Sequence, residues 1–132
     1  MVHRFNPASM VAPFSPISQG VEVEAGERMI YVAGQVGARP DGIVPESMED
    51  QTEQTFLNIQ TVLQERGMDL EDLVETRTYV TSKDHIPGYR AGRAKVLGTG
   101  DDAPRTAAAL VVVAGLAQDH WKVEICAVAA KK

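Results

Sequence analysis

The residue in this chain with the plainest chemical potential is Glu124. It lies in the run Trp121-Lys-Val-Glu-Ile-Cys-Ala-Val128, whose alternation places Trp121, Val123, Ile125 and Ala127 on one face and Lys122, Glu124, Cys126 and Val128 on the other. A carboxylate with apolar neighbours holds its proton more tightly than one in water, which suits acid/base work on a bound water molecule. The competing reading is a solvated strand residue, or one paired with a nearby Lys or Arg, because ionised carboxylates are rarely buried alone. Arg105, just ahead of the apolar run Leu110 to Val113, could grip a substrate carboxylate through two parallel hydrogen bonds. Its plainer reading is a surface arginine before a strand. Arg90 and Arg93 stand three apart on a helical segment. They read first as a solvated face and second as a contact for an anion.

Other chemistries find little support. His3, His85 and His120 are scattered and lack metal-ligand spacing, so no metal is expected. Ser15 and Ser18 have no Gly-x-Ser-x-Gly context. Gly34-Gln-Val-Gly37 lacks the Lys-Ser/Thr ending of a phosphate loop. Cys126, the single cysteine, rules out an internal disulfide and reads as inert core. A net charge of −5 argues against a nucleic-acid surface, which needs clustered Lys and Arg. The N-terminus lacks the apolar core of a signal peptide and no apolar run approaches the ~20 residues of a membrane helix. A cytoplasmic protein with no membrane or nucleic-acid partner is the expectation.

The elements that must position these residues fit one domain of 132 residues. Residues 1–16, with Pro7, Pro13 and Pro16, read as an extended surface arm. Gly20 to Glu24 and Met29 to Ala33 read as a β-hairpin around Ala25-Gly-Glu-Arg28. Ser47 is the expected N-cap of an amphipathic helix over 48–66, stopped by Gly67. Leu73 to Val80 alternates as a strand, and a shorter helix follows Asp84 and ends at Gly98. Two strands complete the order ββαβαββ. Two helices can cover only one face of such a sheet, giving an α+β two-layer domain. Yet Leu110 to Val113 has the composition of a strand buried on both faces. Contact with further copies of the chain reconciles the two, so oligomerisation is expected.

Several segments, taken together and in order, resemble the Rid family, the reactive intermediate deaminases also called YjgF-like or L-PSP-like proteins. They are Pro16-Ile-Ser-Gln-Gly20, Tyr31-Val-Ala-Gly-Gln-Val-Gly37, Asn58-Ile-Gln-Thr-Val-Leu63, Tyr79-Val80, Tyr89-Arg90 and above all Val123-Glu-Ile-Cys-Ala-Val-Ala129. The resemblance implies a chorismate-mutase-like α+β fold with a mixed sheet and two helices on one face. It also implies a homotrimer with small-molecule clefts between subunits, and hydrolysis of enamines or imines to 2-keto acids and ammonia without metal or cofactor. In that chemistry an arginine binds the substrate carboxylate and a glutamate matching Glu124 positions the attacking water. The resemblance also marks departures. The family's arginine falls eight residues before the leucine matched by Leu116, where this chain has Ala108. Arg105 stands three residues too early, reversing its side-chain direction unless Pro104 to Ala107 forms a bulge or loop. Ile17, Ala33, Arg90 and Cys126 replace a tyrosine, a serine, an asparagine and a second acidic residue. The site expected from these matches comprises Glu124 as the water-positioning residue, with Arg105, Arg90, Ile17, Ala33, Gly34, Ala108 and Ala109 around the substrate. Without the arginine, weak or absent activity on amino-acid-derived imines is expected. The alternatives are a non-catalytic ligand-binding or interaction trimer and, less favoured by the acidic balance, an RNA-acting protein.

Overall fold

The computed structural model describes residues 1–100 and 103–132. Its strands are β1 (Val2–Phe5), β2 (Gly20–Val23), β3 (Arg28–Gln35), β4 (Leu73–Val80), β5 (Ala107–Val112) and β6 (Val123–Lys131), and its helices are α1 (Met48–Gln64) and α2 (Ile86–Leu97). The main sheet has the order β3-β6-β4-β5. β6 is antiparallel to both of its neighbours and β5 runs parallel to β4. A parallel pair cannot be closed by a tight turn, and α2 is its crossover.

Helix α1 forms where the apolar spacing places it. Ser47 caps it by accepting a hydrogen bond from the Asp50 N–H at 3.1 Å. Phe56, Ile59 and Leu63 are fully buried on its inner face, each stabilising the fold by about 1.5–3 kcal/mol. They meet Val123, Ile125, Ala127 and Ala129 of β6 and Leu73 and Val80 of β4 in one core. Helix α2 packs tightly on α1 because Gly92 has no side chain. A Cβ there would lie 2.7 Å from the Thr52 Cβ. Both helices share one face of the sheet, giving the expected α+β two-layer architecture.

Three readings of the sequence are corrected. The chain's first residues form a strand, β1, so the segment 1–16 is an arm only after Phe5. β2 pairs with β1 in a separate two-stranded sheet, not with β3 as a hairpin. The reason is burial: Val2, Val21 and Val23 lie on Val74, Val128 and Ala130, covering one end of the face opposite the helices. Finally, β5 is an edge strand, and Leu110, Val111 and Val112 are 39%, 44% and 46% exposed. The double burial expected of this run is not met within one chain: no described strand pairs with its outer edge, and its side chains are left part-exposed on both faces. Among the described residues no helix is long and apolar enough to cross a membrane.

A buried polar residue holds the start of β6 in place. Gln51, 1% exposed, donates from its side-chain amide to the carbonyls of Pro45 (2.9 Å) and His120 (3.0 Å) and accepts from the Lys122 N–H (2.9 Å). Replacing Gln51 with Ala would leave these backbone groups unpaired in the interior. A loss of about 2–3 kcal/mol is expected, read as a lower urea midpoint with unchanged slope by the fluorescence of the single tryptophan, Trp121.

A second polar cluster closes the end of α1. Asp69 accepts from Gln60 (2.9 Å), Gln64 (3.0 Å) and the Leu70 N–H (2.7 Å). Led by the Gln60 hydrogen bond, these donors hold its carboxyl below the usual carboxylate range. A depressed folded-state value contributes stability above the unfolded pKa of about 3.9, and that contribution disappears as pH falls through the folded value. Wild type should therefore be more stable than Asp69→Asn at neutral pH, with the difference in Tm closing as pH drops below about 4.

Candidate functional site

On the helix side, a cleft of about 260 Å3 opens between α2 and the edge strand β5. Alternation along β5 explains its floor: Ala108 and Leu110 pair with Thr76 and Thr78 and point to the helix side, whereas the side chains of Ala107, Ala109 and Val111 alternate to the other face, although Ala109 still borders the cleft. Tyr89, Arg90 and Arg93 of α2 form the facing wall. Tyr89 is fixed by a ring contact with Phe56 (centroids 6.4 Å apart) and by a 3.3 Å hydrogen bond between its hydroxyl and that of Thr78. Ser15, Pro16 and Ile17 of the arm close one end.

The arm is held there by Ser18, which is buried. Its N–H donates to the Thr106 carbonyl (3.0 Å) and its hydroxyl to the Arg105 carbonyl (2.6 Å). The Arg4 guanidinium donates to the same Arg105 carbonyl at 3.1 Å and to that of Leu73 at 2.6 Å. Burial lowers the Arg4 pKa, and the nearby Asp72 carboxylate partly opposes this. Thr76 and Thr106 share a buried hydroxyl–hydroxyl hydrogen bond of 3.0 Å beneath the first residues of β5. Thus the residues around Arg105 are tied down by their backbone.

Glu124 stands elsewhere. On β6 it pairs with Tyr79 and faces away from the helices, half-buried. The β3–β6 register breaks between Val32 and Gln35, bringing Ala33 and Gly34 beside it. The Glu124 side chain lies across Gly34, so that a Cβ there would be 3.0 Å from its Cδ and closer still to Oε2. The bulge is held by a hydrogen bond from the Gln35 side-chain amide to the Ala33 carbonyl (3.1 Å). Just beyond it, Asn58 of α1 donates to the carbonyls of Val36 (3.0 Å) and Ala38 (2.9 Å).

The residues singled out from the sequence therefore fall into two groups. Ile17, Arg90, Ala108 and Ala109 line the cleft, and Glu124, Ala33 and Gly34 form a separate patch on the opposite sheet face. Arg105 precedes β5 and is not among the described residues lining the cleft. Sequence reasoning missed Gln51, Ser18 and the threonines beneath β5, whose partners lie tens of residues away. Arg93, read mainly as solvated, also lines the cleft; its half-apolar helical position was the available signal. Among the described residues no group of three or more His, Cys, Asp or Glu could hold a metal ion.

Comparison with known proteins comes to bear on this geometry. A family model described as endoribonuclease L-PSP matches residues 8–131. A RutC family protein of Aquifex aeolicus is 34% identical over 70 residues, covering 52% of this chain and 54% of that protein. A 2-iminobutanoate/2-iminopropanoate deaminase of Mus musculus is 34% identical over 67 residues, covering 49% and 47%. The chain spans about half the length of these curated relatives. The crystal structure of YyfB from Yersinia pestis, a protein of unknown function of the conserved Rid protein family, matches with a TM-score of 0.82 at 30% identity over 98% of both chains.

Because Glu124 occupies the space a Cβ at position 34 would need, Gly34→Ala should turn the carboxylate aside at little cost, as the obstacle is the end of a flexible side chain. Stability is expected to change by less than about 1 kcal/mol, while any reaction that depends on Glu124 falls at least about tenfold, the equivalent of 1.4 kcal/mol in the barrier. Paired urea melts and rate measurements check this.

Proposed function

The chain belongs to the L-PSP family, whose members include the Rid and YjgF-like proteins, and from that membership we propose that it hydrolyses the C=N bond of a small imine, or of an enamine through its imine tautomer. The observation that carries this reading is the Glu124 carboxylate lying across the glycine of the β3 bulge, on a sheet face that the helices leave free. In the reaction, water oxygen bonds to the imine carbon while Glu124 accepts a water proton. The nitrogen is protonated, the C–N bond of the resulting carbinolamine breaks, and a carbonyl compound and ammonia leave. No redox partner or cofactor is required. The curated mouse relative carries an imine deaminase name, which supports the reaction class.

The two half-sites also bear on assembly. The cleft beside β5 and the Glu124 patch lie on opposite faces of one sheet, so a single chain does not bring them to one substrate. In our proposal, the patch of one copy closes the cleft of the next. That contact joins two different surfaces, and such head-to-tail interfaces close into rings where the rotation between copies closes. A homotrimer, implied by the family resemblance, is the proposed ring, and the exposed β5 edge with Leu110 to Val112 supplies apolar surface for it.

A second reading is favoured by Ala108. Without a guanidinium there, a monocarboxylate imine loses a charge-assisted contact of about 1.5–3 kcal/mol. The protein is then a ligand-binding trimer without catalysis. Net charge and the absence of a basic, aromatic surface pattern in the sequence leave an RNA-acting role least supported.

The experiment generates 2-imino acids in place with an amino-acid oxidase and traps them with semicarbazide. Wild type should divert imine from the trap, and Glu124→Ala should lose about 10²-fold or more of that rate, the scale of a positioned acid/base group. Equal trapping with and without wild-type protein, across imines of varied side chain, would leave only the ligand-binding reading.

A further inference from the structure

Among the described residues, the cleft beside β5 is lined by two guanidinium groups and no carboxylate. Arg90 and Arg93 both line it, and none of the other described lining residues is charged. Neither arginine has a hydrogen-bond or ion-pair partner among the described residues. This separates them from other cations nearby. On the same helix, Lys95 is paired with Glu49 of α1 at 2.7 Å, and on β4 Arg77 is paired with Glu75 at 3.1 Å. Helix α2 thus turns one cation toward acidic residues of α1 and leaves two over the cleft. Like charges three residues apart on a helix repel, and the repulsion is relieved by an anion bound between them. In a chain of net charge −5, this cleft stands out as a local positive focus for small anions.

Size and lining narrow the anion. At about 260 Å3 the cleft is below the ~300–1,000 Å3 usual for drug-sized ligands. Its floor is apolar, made by Ala108 and Leu110, with Ala94 beside them. Positions three apart on a helix are separated by about 4.5 Å along the axis, comparable to the two carboxyl groups of a four- or five-carbon diacid. A short carbon chain on the alanine and leucine floor, with one carboxylate at each arginine, satisfies both charges and the apolar surface. Each guanidinium offers the planar fork that fits a carboxylate.

We propose that the cleft binds small dicarboxylates through Arg90 and Arg93, making imines of acidic amino acids the substrate class. The substrate part rests on the deaminase reading, whereas the binding part does not.

Calorimetric titration of the full chain with succinate, glutarate and butyrate tests it. Both diacids should bind at least tenfold more tightly than butyrate. Arg90→Ala and Arg93→Ala should each weaken diacid binding by about tenfold or more, as expected for a lost hydrogen bond to a charged group, and their combination should abolish the preference. Arg93→Lys should restore only part of the affinity, because the ammonium keeps the charge and loses the fork. Lys83→Ala, an exposed cation away from the cleft, should leave binding unchanged. Ligand-free Tm should not fall in the arginine variants, which separates anion binding from a structural role. Butyrate binding as tightly as the diacids, no binding of any of the three at millimolar concentration, or a preference that survives the double substitution would overturn the proposal. Arginine-dependent diacid binding without imine hydrolysis would uphold the binding part and sink the deaminase reading; hydrolysis indifferent to both arginines would uphold the deaminase reading and overturn the substrate assignment.

Discussion

The parallel pairing of β4 with β5 is the constraint from which the rest of the structure follows. Antiparallel neighbours can be joined by a few residues, but a parallel pair requires the chain to return across the sheet. Here the return is α2, laid against α1 with Gly88 and Gly92 at the close approach. That crossing fixes how far α2 stands from β5. The space left between them is the cleft, and the side chains on that flank of α2 become its wall. The same topology leaves β5 at the sheet's edge with its apolar residues half-exposed. One backbone choice therefore produces both a ligand-sized space and a surface suited to another copy.

The floor under this arrangement is polar as well as apolar. Thr76 with Thr106 and Thr78 with Tyr89 pair their hydroxyls in buried positions. Each such pair is worth only about 0.5–1.5 kcal/mol net, yet leaving either partner alone costs more. Their contribution is to the registration of β5 and α2 on β4. Ser18 and Arg4 act likewise on the backbone at Arg105, so the end of the cleft is set by hydrogen bonds between segments far apart in the chain.

How much was legible in the sequence follows from this division between local and distant causes. The helices, the Ser47 cap and the bounds of β4 depend on residues within a turn or two of one another, and they were readable. The faces of β6 were readable too, because alternation is local. The partner of β2 was not, since Val2 and Val21 meet only when both lie on Val74 and Val128. Nor was the position of Glu124 over Gly34, which depends on a register break between β3 and β6. Leu110 to Val113 misled for an instructive reason: apolarity on both sides of a strand states that both sides need cover, not that the same chain provides it.

Ala108 and the arginines of α2 are best understood together. A guanidinium projecting from position 108 would rise from the strand floor into the same cleft that Arg90 and Arg93 face from the helix. Three cations around about 260 Å3 would repel one another strongly unless a highly charged ligand were present. An alanine on the floor removes that conflict and gives the carbon chain of a ligand an apolar seat. Positive charge then comes from the wall alone, on side chains with long flexible stems that can meet anions of slightly different length. In the proposed assembly, Glu124 approaches from a neighbouring copy as the opposing negative charge. It remains separate from the arginines until a substrate lies between them, which keeps the carboxylate available for water instead of spent in an ion pair.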